Sequence, residues 1–216
     1  MLTEVEKDAF STFLDVLDRF GTPYYLHAGI ALHIHGLEGD LEDCDVRVLL
    51  PSSQLHLLEE YFGLNCVCVT RILGTRKFSG GYYLNNCLQV WVQNTRFDIC
   101  GEMVTSCKDL GEIRFPFGQE VFRSVLWKEY HGVKAPVINL EDLLIYYLIH
   151  RRGADEGKDD IKHIYDVVAH KDFDHRRFYE HIAGYSESGK LIRLFNTIVG
   201  PVSGLEEGRA SLLHRV

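Results

Sequence analysis

The sequence predicts an α/β (α+β) fold, a mixed sheet with flanking helices followed by a helical C-terminal region, and three observations predict it. Apolar residues Val5, Ala9, Phe10, Phe13, Leu14, Leu17 and Phe20 recur at helical spacing and stop at Gly21. Between Pro23 and Pro136 the text breaks into short β-rich runs bounded by Gly, Pro and Asn. After Pro136 it reads as helix, punctuated by Gly153, Gly157, Gly184, Gly200-Pro201 and Gly204. Residues 1–136 are therefore expected to form an α/β core and 137–216 a helical region packed on it.

The elements follow in order. A short strand, Tyr24–His27, leads through small residues into a helix over 29–36, closed by Gly36. A strand from Asp43 to Leu50 ends at Pro51, and Ser52 or Ser53 caps a helix running to Phe62, with Gly63 at its end. Strand-like runs cover 64–72, 77–84, 86–93 and 95–100; Asn85-Asn86 reads as a tight hairpin turn, and so does Gly80-Gly81. Segments 113–115 and 121–134 read as further strands or edges. Asn139 can cap a helix with Asp142 in its first turn, and helical text fills 140–152, 156–170, 174–184, 187–199 and 204–214.

At 216 residues with a 46% apolar fraction, the chain can bury a sizeable core. Its net charge of −8 argues against a general nucleic-acid scaffold, though not against a local basic patch. No apolar run is long enough to span a bilayer, and the N-terminus lacks a basic-then-apolar layout, so a cytoplasmic protein is expected. The six cysteines form no CxxC pair, which predicts reduced, buried thiols rather than zinc ligands. The eleven histidines form no HExxH; His33 and His35 point to different sides of a helix, while His163 and His170 could line one face with Asp166 between them. Trp91 and Trp127 read as packing residues, and neither a Walker loop nor a Rossmann fingerprint is present.

Chemistry concentrates in the segment from Tyr24 to Leu50. Alternation along a strand puts Asp43 and Asp45 on one face roughly 6–7 Å apart. Carboxylates that close repel unless a cation sits between them, and a hard ion such as Mg²⁺ prefers oxygen ligands. The Ala28-Gly29 turn would aim backbone N–H groups at an anion. A third acid, Asp98, sits between Phe97 and Ile99 in apolar strand text, where an unpartnered carboxylate is costly to bury. If its strand lies beside Asp43–Leu50, the three acids converge. Lys158, Arg151 and Arg152 read, from the residues alone, as a solvated, salt-bridged face.

These residues resemble the core of the DNA-polymerase-beta-like nucleotidyltransferase superfamily, in its minimal and abortive-infection-type branch. The carriers are Ala28-Gly29-Ile30-Ala31, His35-Gly36 and Asp43-Cys44-Asp45, with Asp98 as the later acid. Glu141-Asp142-Leu143, Arg152, Lys158-Asp159 and Asp166 continue the match through residue 170. The chain departs from the pattern at three places. Ala28 replaces the first glycine, Gly39 and Leu41 stand where Arg and Thr are common, and Tyr147 stands where a Lys is common.

The resemblance implies transfer of a nucleotidyl group from an NTP to an acceptor hydroxyl on RNA, protein or a small molecule, with Mg²⁺ or Mn²⁺ as cofactor. Asp43, Asp45 and Asp98 would be the catalytic and metal-binding residues, and Ala28, Gly29, Arg152 and Lys158 the nucleotide-binding ones. The alternative is a catalytically inactive member of the fold that binds a nucleotide or a protein partner, as in a toxin–antitoxin or defence system.

Overall fold

The computed structural model describes residues 4–39, 44–65, 68–78, 81–115, 119–185 and 187–200. Helix α1 (Glu4–Phe20) buries Ala9, Phe10, Phe13, Leu14 and Leu17, the stripe its periodicity predicts. Then come β1 (Tyr24–Leu26), α2 (Ala28–Ile34), β2 (Cys44–Val48) and, after a 3₁₀ turn, α3 (Leu55–Leu64). Strands β3 (Cys68–Phe78), β4 (Gly81–Val92), β5 (Thr95–Cys100), β6 (Met103–Cys107) and β7 (Gly111–Phe115) form the β-rich stretch. A short helix α4 (Gln119–Arg123) precedes β8 (Leu126–Tyr130) and β9 (Val133–Val137). Helices α5 (Leu140–His150), α6 (Asp160–Val168), α7 (His175–Ala183) and α8 (Ser188–Val199) close the described chain.

The strands make one mixed sheet in the order β7-β6-β4-β5-β2-β1-β9-β8, with β3 pairing β4. The β2–β5 and β1–β9 pairs are parallel, the others antiparallel. One face of the sheet packs on α1 and α3: the ring of Phe13 stacks on Phe97 of β5 at 3.9 Å and on Phe62 of α3 at 5.5 Å. The opposite face is covered by α5, all eleven residues of which are buried. A helix apolar on nearly every side must be enclosed, and α5 is enclosed between the sheet and helices α6, α7 and α8.

The polar residues of α5 are spent on holding that enclosure. Asn139 caps the helix by accepting from the Asp142 N–H at 2.8 Å and donates to the Asp142 carboxylate at 2.7 Å. His181 of α7 donates to the same carboxylate at 2.9 Å, and the Asp174 N–H donates to Glu141 at 2.8 Å. Hydrogen bonding to Asp142 raises the pKa of His181 above its ordinary value. Glu141 and Asp142 therefore dock α7 onto α5.

Several expectations need correction. Asn85-Asn86 is not a turn: both residues lie inside β4, paired with Gly74 and Leu73, and the chain reverses between Phe78 and Gly81. The stretch expected as strand over 121–134 begins instead in α4. Helix α6 starts at Asp160, capped by Asp159, not at 156. Cys87 and Cys100 are not reduced thiols: they stand directly opposite each other on β4 and β5 and form a disulfide. Trp91 and Trp127 are exposed rather than packed. Cys66, Asp43 and the helix expected over 204–214 lie outside the described residues.

Candidate active site

Strand register assembles a polar row across the sheet. In the antiparallel β1–β2 pair Leu26 faces Val46, so His27 comes opposite Asp45, and the His27 N–H donates to the Asp45 carbonyl at 3.1 Å. In the parallel β2–β5 pair Asp45 faces Asp98, and in the β4–β5 pair Asp98 faces Gln89. Directly opposed residues share a face of the sheet. His27, Asp45, Asp98 and Gln89 thus line up side by side on the α5 face, while Phe97 and Ile99 turn into the core under α1 and α3. A second row, Tyr25, Arg47, Cys100 and Cys87, lies one pleat deeper on the same face.

The row is graded in depth. Asp45 is half-buried and Asp98 is buried, with the Arg96 guanidinium 3.4 Å from its carboxylate. Arg47 is buried beneath the row. On the α5 side, the Tyr146 ring stands edge-on to His27 at 5.3 Å and lies 4.3 Å from the ring of His150. Tyr146 is enclosed enough that burial pushes its phenol pKa up to about 12. Both His27 and His150 are driven well below the ordinary histidine pKa, first by burial. The guanidinium groups of Arg47 and Arg152 act on both rings in the same direction. The two imidazoles are therefore neutral at physiological pH.

Two local costs sit side by side at the head of the row. The Nε2 of His27 is buried without a hydrogen-bond partner among the described residues. A buried polar atom left in that state costs about 1–3 kcal/mol. The next residue, Ala28, has φ +54°, a left-handed conformation that costs a residue with a Cβ about 1–2 kcal/mol. The Ala28-Gly29 turn is further shaped by Gly39: a Cβ there would overlap the Gly29 carbonyl oxygen and meet Leu32 Cβ at 3.1 Å.

The cations expected near phosphate are placed differently from one another. Arg152 follows α5 and is held by Asp160, which accepts from the Arg152 backbone N–H at 2.7 Å and from its Nε at 3.0 Å. Its Nη2 also donates to the Tyr146 hydroxyl at 3.3 Å, and the guanidinium lies 5.7 Å from the Tyr146 ring centre. Arg152 is thereby placed next to the row through Tyr146. Lys158 is not on a helix but in the loop before α6, its N–H donating to the Gly153 carbonyl at 3.1 Å. Lys162 forms an i,i+4 pair with Asp166 at 2.7 Å and reaches Glu38 at 3.1 Å. Arg151 pairs with Asp109 through two bonds of 2.7 and 2.8 Å. His163 and His170 do not line one site. His163 packs on Tyr147, and His170 donates to the His35 carbonyl at 3.1 Å.

Asp45 and Asp98 offer hard carboxylate oxygens on one face, a donor set suited to Mg²⁺ or Mn²⁺, ions that keep several waters and substrate oxygens. Among the described residues no group of three or more His, Cys, Asp or Glu gathers as a metal cage. A pair of acids that leaves coordination positions open fits a substrate-bridging cation better than a closed structural site. His27, Arg47, Tyr146 and His150 escaped the sequence reading. Arg47 carried a legible signal: a charged residue inside VRVLL, two positions beyond Asp45 and in phase with it. Tyr146 and His150 share a helix face at i,i+4.

No protein-family model matches the chain, and no curated protein matches it. Solved structures do. TM1012 from Thermotoga maritima, itself an unproven nucleotidyltransferase, is 15% identical with a TM-score of 0.52, over 68% of this chain and 86% of that one. The antibiotic-resistance factor ANT(2'')-Ia is 13% identical with a TM-score of 0.46, over 99% of this chain and 97% of that one. The lincosamide antibiotic adenylyltransferase LnuA is 15% identical with a TM-score of 0.44, over 78% of this chain and 98% of that one. The chain has a nucleotidyltransferase-like fold, a conclusion carried by the first of these.

Proposed function

We propose that the protein is a nucleotidyltransferase, dependent on Mg²⁺ or Mn²⁺, that moves a nucleotidyl group from an NTP to an acceptor hydroxyl. The observation that carries this reading is the register match of Asp45 with Asp98 across β2 and β5. A bound divalent cation would neutralise the triphosphate and favour the leaving pyrophosphate. Asp45, with Asp43, would hold that cation. Asp98 would hold a second one or take the proton of the acceptor hydroxyl. The Ala28-Gly29 turn would contact phosphate, with Lys158 as an auxiliary cation. Arg152 would act from within its pair with Asp160, steadying Tyr146 beside the row.

The net charge of −8 favours a protein side chain or a small molecule over RNA as acceptor. Among the described residues no helix is long and apolar enough to cross a membrane. Use of an NTP suits the cytoplasm. A silent nucleotide- or partner-binding protein is the second reading. It is favoured by Gly39, whose packing on Gly29 leaves no room for the cation the family places there.

Incubation with labelled ATP, GTP, CTP and UTP in Mg²⁺ separates the two. Label transfer or pyrophosphate release that disappears in Asp43→Ala and Asp45→Ala supports the enzyme. Nucleotide binding with no turnover under any donor supports the silent reading.

A further inference from the structure

The strain at the head of the polar row sits on two consecutive residues, and folding alone has no use for either cost. An aliphatic side chain at position 27 would fill the space between Tyr25 and Tyr146 without burying an unsatisfied nitrogen. A glycine at 28 would adopt φ +54° freely. Unsatisfied buried atoms and left-handed non-glycine residues gather where a protein meets its ligand. Here both stand at the end of the row next to Asp45.

The surroundings of His27 select the kind of ligand. Its ring is 2% exposed and flanked by the edges of Tyr146 at 5.3 Å and Tyr25 at 6.2 Å. Burial lowers its pKa first, and Arg47, His150 and Arg152, in that order, act on it in the same direction. A positive local field repels a metal ion and attracts an anion. The order of the row separates the two ends of the reaction. His27 adjoins the Ala28-Gly29 turn on the Asp45 side, and Gln89 lies on the Asp98 side. The anion expected at the His27 end is the polyphosphate of the donor, not the acceptor.

We propose that His27 is a substrate-contacting residue on the donor side of the row, its Nε2–H donating to a phosphate oxygen of the nucleoside triphosphate once the Tyr146 ring swings off it. This rests on the nucleotidyltransferase reading. Tyr146 is the residue whose motion exposes the contact, and its hydroxyl is tethered by Arg152 at 3.3 Å. Arg152 thereby sets how readily the ring moves. The contact requires no change in the protonation of His27, only a partner for a nitrogen that has none among the described residues.

The full-length chain, His27→Phe and Asp45→Asn are titrated with inorganic pyrophosphate and with each of the four NTPs as α,β-methylene analogues in Mg²⁺. Phe keeps a ring against Tyr146 and removes the nitrogen. The expected result is a roughly tenfold loss of affinity for pyrophosphate and nucleotide in His27→Phe, with a Tm equal to or above wild type. Unchanged affinity in His27→Phe overturns the contact while leaving the nucleotidyltransferase reading standing. A wild-type chain that binds none of the probes and transfers no label overturns both. Should His27→Phe fail to fold, the imidazole ¹⁵N resonances of His27 in the wild-type chain decide instead. An Nε2 shift on adding pyrophosphate supports the contact, and a static resonance at saturating pyrophosphate overturns it.

Discussion

Asp45 of β2 and Asp98 of β5 stand directly opposite each other in a parallel pair, two carboxylates at the same level of the same sheet face. Adjacent strands lie about 4.8 Å apart, so the two charges repel unless something positive answers them. Arg96 lies 3.4 Å from Asp98. In the proposed reaction a divalent cation joins the pair. Replacing either acid by its amide is therefore expected to lower Mg²⁺-dependent transfer by about a hundredfold or more while leaving the folded state intact. Steady-state rates paired with thermal melts of Asp45→Asn and Asp98→Asn check both halves of this expectation.

Acid should loosen the fold before most carboxylates titrate. The buried His35 ring donates from Nε2 to the Ile138 carbonyl at 2.8 Å and accepts from Lys128 at 3.0 Å, so it is held neutral. Burial, the largest cause, lowers its pKa to about 4. A folded-state pKa below the unfolded value of 6.5 means the unfolded chain takes up the proton first. The contribution is whole above pH 6.5 and is lost as pH falls toward 4, about 3 kcal/mol in all. His27 and His150 act with the same sign. His181, with a raised pKa, acts oppositely and contributes below pH 6.5. Urea unfolding at pH 7.5, 5.5 and 4.5 should show the fall, and His35→Gln should flatten it.

Arg152 is expected to matter first for stability. Asp160 is 1% exposed and takes its main hydrogen bonds from Arg152. Truncation to Ala leaves a buried carboxylate short of its partner, at a cost of about 3–5 kcal/mol. Arg152→Ala should unfold at markedly lower denaturant. The double variant Arg152→Ala/Asp160→Asn should recover part of the loss in the same denaturation assay.

The turn after β1 gives a prediction of opposite sign at two positions. Ala28→Gly relieves the left-handed strain at 28 and should stabilise by about 0.5–1 kcal/mol. Gly39→Ala forces a methyl into the Gly29 carbonyl and should destabilise by about 1–3 kcal/mol. Thermal melts of the two variants should move in opposite directions.

The sequence made the fold legible where one rule decided each element. The α1 stripe, the Asn139 cap and the glycine-bounded C-terminal helices all depend on local spacing or local hydrogen bonds. It misled where two rules competed. Asn85-Asn86 has the composition of a turn, yet the long β3–β4 ladder runs through it, and the chain reverses between Phe78 and Gly81 instead. The Cys87–Cys100 bond depends on which strand pairs with which, and spacing alone carries no such information. The same holds for the site. Asp45 and Asp98 were visible as acids in apolar strand text, but His27, Arg47 and Tyr146 joined them only through register and the placement of α5.

The most direct test of the shared cation is Mn²⁺ binding in the presence of a non-hydrolysable NTP, followed by electron paramagnetic resonance and calorimetry. Wild type should bind Mn²⁺ together with nucleotide, and Asp45→Asn and Asp98→Asn should each lose most of that binding. Mn²⁺ binding that is equally tight in wild type and Asp98→Asn would contradict the account.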